Sequence, residues 1–281
     1  MNTVAIYTNS SLACSEIITR KYSTSFSWAI KLLHRQFQPH IHAIYGFVRL
    51  ADEIVDTFHS FNKTALLHKF RDDTFAAISD NISLNPVLQS FQNTVNTYNI
   101  DHHLITAFLE SMEMDLDQQV YTREQELNHY IYGSAEVVGL MCLKIFCEGR
   151  QQQYEELAPY ARLLGAAFQK VNFLRDLNDD CAGLQRTYFP GFNFEQFDEV
   201  TKKAIEASID KDFREALAGI KMLPVKARFG VYVAYRYYLS LFNKIKRQPP
   251  SLILQQRVRV HNMVKIGIIL NAGVRNRLNM I

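Results

Sequence analysis

Residues 45–56 read YGFVRLADEIVD, an apolar helical stretch interrupted by Arg49, Asp52 and Asp56. At 100° per residue, Tyr45, Arg49, Asp52 and Asp56 fall within about 60° of one another on a helix. Ile44, Phe47, Val48, Ile54 and Val55 cover much of the remaining surface. A line of ionisable groups down an otherwise apolar helix needs a reason. Buried carboxylates without partners are costly, and two aspartates one turn apart repel each other.

A second segment repeats the pattern. In LLGAAFQKVNFLRDLNDD, residues 163–180, Gln169, Asn172, Asp176 and Asp180 follow one another at spacings of 3, 4 and 4, with Arg175 directly before Asp176. They too share one face, and Leu163, Leu164, Ala167, Phe168, Val171, Phe173 and Leu174 surround them. A single Asp-x-x-x-Asp is most often a solvated helix face. Two such stripes, each on a helix whose other faces are apolar, point instead to something cationic between the carboxylates, either a metal or each other's arginines.

Working outward, apolar residues recur at three and four positions along most of the chain, which argues for helices. The spacing predicts them at about 40–58, 64–80, 87–98, 102–118, 124–148, 152–181, 198–218, 225–246 and 253–277. Breaks fall at Pro86, Pro190 and Pro249–Pro250. No long linker, repeat or low-complexity tract divides the 281 residues, so a single all-α domain is expected.

Composition narrows the function classes. A net charge of +3 with no basic stripe before the last 40 residues speaks against nucleic acid as a partner. The four cysteines form no Cys-x-x-Cys pair, which fits a reduced, cytoplasmic chain. The first residues lack the pattern of a signal peptide, and no uncharged apolar run reaches 18 residues, so a spanning helix is not expected. A peripheral membrane contact stays open.

Carboxylates with amide oxygens, and neither cysteine nor histidine in either stripe, favour a hard cation such as Mg²⁺ (or Mn²⁺). Mg²⁺ is commonly held by one or two carboxylates while substrate phosphates complete its shell. A di-iron bundle would need two Glu-x-x-His motifs, and this chain has one, Glu126 to His129. Lys21, Ser23, Ser25, Arg35, Arg49, Arg175, Arg186 and Tyr188 stand near the stripes in sequence and supply phosphate donors. Phe26, Tyr45, Phe47, Tyr130 and Phe173 bring aromatic faces that could shelter a carbocation.

The segments KYSTSFSWAIKLL and AIYGFVRLADEIVD, followed by QKVNFLRDLNDDCAGLQRTYFP at 169–190, resemble the squalene/phytoene synthase family. MEMDL (112–116), Tyr121, Thr122, Glu126, Leu127, Tyr130 and AEVVGLM (135–141) look like its middle segment. The resemblance is close over residues 20–190 and loose beyond. It implies an isoprenoid-synthase-type helical bundle with a central cavity, a prenyltransferase in which two prenyl diphosphates condense head to head through a cyclopropyl intermediate. By position, Asp52, Asp56, Asn172, Asp176 and Asp180 would serve metal and diphosphate. Ser23, Ser25, Arg49, Gln169, Arg175, Arg186 and Tyr188 would bind diphosphate, while Phe26 and Tyr45 would line the hydrocarbon site near the reacting carbons. The chain departs from the family pattern at Leu177-Asn178-Asp179, in the spacing from Asp180 to Arg186, and at Glu136, where a small residue is usual. The basic run 257–265 is a further candidate for a diphosphate contact.

The TYFP ending and MEMDL look most like bacterial phytoene synthases, which implies geranylgeranyl diphosphate as substrate. Two farnesyl diphosphates giving squalene or dehydrosqualene, with NADPH only for squalene, are the alternative. A catalytically silent relative acting as an assembly partner would be expected to have lost aspartates, and all four are present.

Overall fold

The structure, a computed structural model, describes residues 3–117, 121, 123–183, 189 and 197–277. Among them every regular element is helical. In chain order these are α1 (Thr3–Tyr22), α2 (Thr24–Ile30), α3 (Gln38–Asp56), α4 (Lys63–Asp80), α5 (Pro86–Tyr98), α6 (His102–Asp117) and α7 (Glu124–Ile131). After a π-helical turn (Tyr132–Glu136) come α8 (Val137–Cys147), α9 (Gln151–Gly183), α10 (Glu199–Met222), α11 (Val225–Lys246), α12 (Pro250–Ile253) and α13 (Asn262–Arg277). Side chains set several boundaries. Asn62, Asn85 and Asp198 accept hydrogen bonds from the first-turn amides of α4, α5 and α10. Asn81 and Asn99 close α4 and α5 in the left-handed conformation.

Helices α3, α4, α5, α6 and α8 pool their apolar faces into one buried cluster, and α9, α10, α11 and α13, joined by Ala29 of α2, form a second. The main cavity lies between them, walled by α2, α3, the π turn with α8, α9 and parts of α10 and α11.

Three expectations fail, each for a visible reason. Apolar periodicity gave no sign of α1 or α2. The buried face of α1 is Ser11, Ser15 and Thr19, a hydroxyl stripe that satisfies itself: Ser11 and Thr19 donate to carbonyls one turn back, at 2.9 and 2.8 Å, and Ser15 bonds Ser90 of α5 at 2.7 Å. Small side chains let α1 press against α3 at Gly46, where a Cβ would come within 2.8 Å of Ser15 Oγ. The expected single helix 124–148 is interrupted by the π turn. There Gly133 lies so close to α6 that a Cβ would sit 2.5 Å from the Ala107 carbonyl oxygen. This run, Glu124–Cys147, is long and apolar enough to cross a bilayer, yet over half of its most apolar window is buried in the fold. Finally, the expected helix 253–277 is two pieces, because residues 254–261 run without helix between α12 and α13.

Candidate active site

The cavity, about 640 Å³, is graded by the helices that line it. Along α3 its wall reads Ile41, Ile44, Tyr45, Val48, Arg49, Asp52, Asp56; along α9 it reads Leu157, Leu164, Phe168, Gln169, Asn172, Asp176. Both helices therefore run from an apolar depth to a charged mouth, and α2 repeats the gradient in reverse, from Ser23 through Phe26 to Ile30. Such a shape fits an amphiphile with an anionic head and a long hydrocarbon tail.

At the mouth, the α3 carboxylates lie one turn apart. Burial, and then the charge of Asp56, push Asp52 up to about 7, against the opposing pull of Arg49. Asp56 is exposed and Asp52 is half-buried, so the stripe is not shut away from water. Arg49 forms an ion pair with Glu53, one turn on, and stacks its guanidinium 4.3 Å over the Tyr22 ring. Across the mouth, Asp176 receives Arg175 through Nε at 2.9 Å and a second bond from Nη2, and Arg257 through Nε at 2.8 Å. Asn172 bridges its helix to α11. Its Nδ2 donates to Gln169 at 3.3 Å, and its Oδ1 accepts from Tyr238 at 3.3 Å.

Below the charged ring lies an aromatic collar. Phe26 packs against Tyr45 (5.9 Å between centroids), Tyr238 (5.8 Å) and Phe168 (6.4 Å), and Phe168 stacks on Tyr238 at 3.8 Å. Burial raises Tyr45 to about 12, keeping its hydroxyl protonated. Tyr130 donates to buried Asp115 at 3.0 Å, and its ring lies 6.1 Å from Phe173. All four line the cavity or its collar.

The structure thus brings together Ser23, Phe26, Tyr45, Arg49, Asp52, Asp56, Gln169, Asn172, Arg175 and Asp176. It separates others. Phe47 is wholly buried between Phe91 and Phe70, stacked at 3.8 and 5.4 Å, and is core rather than cavity wall. Ser25 is half-buried and off the cavity, and Lys21 and Arg35 are exposed away from its lining. Glu136 lies off the cavity as well, paired with Arg162 at 2.6 Å. Arg186, Tyr188 and the side chain of Asp180 lie outside the described residues.

Sequence reasoning missed Tyr22, Asp115, Phe168 and Tyr238 as wall residues. Asp115 alone carried a signal, an acid on the apolar face of MEMDL. Arg257 belongs to the basic run flagged above, and the non-helical segment 254–261 is what carries it to Asp176.

The donors fit a divalent cation of the magnesium type. Among the described residues no three histidine, cysteine or carboxylate side chains cluster tightly enough to hold a metal by themselves. Hard-cation sites that share a substrate's phosphate oxygens do not need three. Burial, and then the charge of Asp56, hold Asp52 back from ionising, and a cation beside it would favour its charged form.

Comparison with known proteins agrees with this geometry. A family described as squalene/phytoene synthase matches residues 19–264. A phytoene synthase of Arthrospira platensis is 25% identical over 99% of this chain and 97% of its own length. A 4,4'-diapophytoene synthase of Staphylococcus haemolyticus is 22% identical over 85% and 88%. A 15-cis-phytoene synthase of a Paracoccus strain is 24% identical over 92% and 89%. A dehydrosqualene synthase crystal structure superimposes with a TM-score of 0.82 at 19% identity, covering 96% of this chain and 98% of the other. A squalene synthase of Alicyclobacillus acidocaldarius gives 0.76 at 20% identity, covering 86% and 95%.

Proposed function

We propose that this chain, which belongs to the squalene/phytoene synthase family, joins two geranylgeranyl diphosphates head to head to give phytoene. The observation that carries the reading is the graded cavity, charged at the mouth where α3 and α9 face each other and apolar at depth. Two of the three curated relatives above bear the name phytoene synthase. The diapophytoene and dehydrosqualene synthases among the relatives favour one alternative, the same chemistry on two farnesyl diphosphates.

In this reading a diphosphate sits between the stripes. Arg49, Arg175 and Arg257 are within the mouth to grip its oxygens, and Ser23, Gln169 and Asn172 offer neutral polar contacts. Asp52, Asp56, Asp176 and Asp180 would hold Mg²⁺, which supplies stabilisation of charge on the departing diphosphate. As the allylic C–O bond breaks, its electron pair leaves with the diphosphate. The cation that remains lies against the faces of Phe26, Tyr45, Phe168 and Tyr238. Attack by the second chain's double bond and loss of a proton close the cyclopropane. Loss of the second diphosphate, rearrangement and loss of another proton give the triene. The raised Tyr45 fits a π-face role, since a phenolate would be alkylated.

We also place the enzyme in the cytoplasm, where Cys14, Cys142 and Cys147, free in the structure, would stay reduced. The test is incubation with C15 or C20 diphosphate and Mg²⁺, with and without NADPH, followed by chromatography of the hydrocarbon. Phytoene formed without NADPH is expected. Squalene formed only with NADPH would overturn the reading.

A further inference from the structure

Charge is distributed unevenly along this chain. After Glu215 no aspartate or glutamate occurs, while twelve lysines and arginines do; the first 215 residues hold 19 basic and 28 acidic side chains. The near-neutral whole hides a strongly cationic last quarter.

Helix α13 presents that quarter's most unusual surface. Ile268, Ile269 and Ala272 face inward, against the cluster shared with α11. Met263, Ile266, Leu270 and Val274 follow at spacings of 3, 4 and 4, within about 80° of one another on a helix. They face outward at 77, 43, 67 and 59% exposure. Arg259 precedes this stripe, and Arg275 and Arg277 end the helix. Helix α13 is thus apolar on both faces, inward against α11 and outward along this stripe. An outward apolar face with basic flanks and no acid suits burial among acyl chains with its cations at the headgroups.

Its position in the fold matters too. Lys265 Nζ donates to Thr24 Oγ1 at 2.8 Å, next to Ser23 of the cavity wall. Arg257, on the segment that leads into α13, pairs with Asp176 at the mouth. Tyr22, half exposed, lies on the same rim. The N-terminal end of α13 therefore borders the opening of the cavity.

We propose that the outer face of α13 docks onto an anionic lipid bilayer, with its apolar stripe among the acyl chains and its basic residues at the headgroups. A second copy of this chain fits the face less well, because a symmetric pairing would set cationic flanks against each other. Docked this way, the cavity mouth opens at headgroup level, the depth at which a membrane-held prenyl diphosphate keeps its charged end. The lipid contact stands on the surface alone; its alignment with a substrate rests on the proposed function.

The experiment is co-sedimentation of the full chain with vesicles of phosphatidylcholine, alone or with about 30% phosphatidylglycerol, without Mg²⁺ or prenyl substrate. Wild type is expected to bind the anionic vesicles and to be released by salt. The Ile266→Glu/Leu270→Glu double variant should bind at least about tenfold more weakly, and Arg259→Gln/Arg277→Gln should lose the preference for anionic lipid. Met263→Ser, a milder change, should shift binding in the same direction if the double variant folds poorly by circular dichroism. Three results would overturn the proposal: no binding by wild type, full binding by the double and Met263→Ser variants, or a dimer lost in those variants with vesicle binding unchanged. Since the readout contains no substrate, failure of the proposed reaction leaves it intact, and the reverse is equally true.

Discussion

The two carboxylate stripes look alike in sequence and differ in the folded chain. On α9, Asp176 is held by two guanidiniums, Arg175 and Arg257. On α3, Arg49 is engaged by Glu53 and Tyr22 and offsets burial and the Asp56 charge only in part, so the Asp52 carboxyl rises to about 7. One stripe is charge-compensated by arginine; on the other, burial and a neighbouring carboxylate hold Asp52 back from ionising. The lesson is that a repeated motif can do two jobs. In the proposed reaction the α3 side would take a cation, and the α9 side already holds the arginines that a diphosphate would draw away from Asp176.

That contrast yields the largest predicted effects. Asp52→Asn and Asp176→Asn should each lower turnover by at least about 100-fold, since each would remove a ligand of the cation proposed to stabilise the departing diphosphate. Their effects on stability should diverge. Asp52→Asn removes a carboxylate that burial and Asp56 already oppose, so the substrate-free protein should be no less stable. Asp176→Asn leaves the part-buried Arg175 and the exposed Arg257 without their carboxylate and should cost about 1 kcal/mol. Steady-state rates and urea unfolding midpoints measure both. Equal loss of stability in the two variants would break the comparison, and wild-type turnover in either would remove that residue from the clamp.

A second contrast separates two aromatics the sequence could not tell apart. Phe26 and Phe47 both flank signature residues, but Phe47 stacks in the core and Phe26 stands in the cavity wall. Phe47→Ala should destabilise by about 3–5 kcal/mol and leave the product of the surviving folded fraction unchanged. Phe26→Ala should cost less stability, because that face already borders a cavity, and should alter rate or product. If Phe26→Ala proves the more destabilising, the collar is packing rather than a site.

The same pair shows where the sequence was readable. Period and polarity placed α3 and α9 to within a few residues and put Asp52, Asp56, Asn172 and Asp176 on facing walls, because a charged line on an apolar helix is a local signal. A ring's neighbours are not local. Whether Phe47 meets Phe91 or a cavity depends on α5, and the phenol of Tyr238 reaches Asn172 across 66 positions of chain. Helix α1 stayed hidden for another reason: it packs through Ser11, Ser15 and Thr19, so no apolar period announces it. The non-helical segment before α13 carries Arg257 to Asp176, a pairing across 81 positions that no window of sequence contains.

A final test sharpens the comparison from the other side of α3. Near the start of that helix His42 is 4% exposed and its Nδ1 has no hydrogen-bond partner among the described residues. Burial lowers it from 6.5 to about 4, with Glu16 pulling the other way and Arg20 and Lys31 adding to the fall. Asp52 and His42 are thus both buried against their charged forms, but only Asp52 faces a cavity where a ligand's charge can compensate. The unfolded chain takes up a proton on this histidine as pH falls through about 6.5, while the folded chain resists until about 4. Stability from this group is therefore complete above about pH 6.5 and declines as pH falls toward 4, by at most about 3 kcal/mol. Replacing His42 by Gln should flatten that decline in urea midpoints measured between pH 4 and pH 7. An unchanged slope would assign the acid sensitivity to groups other than His42.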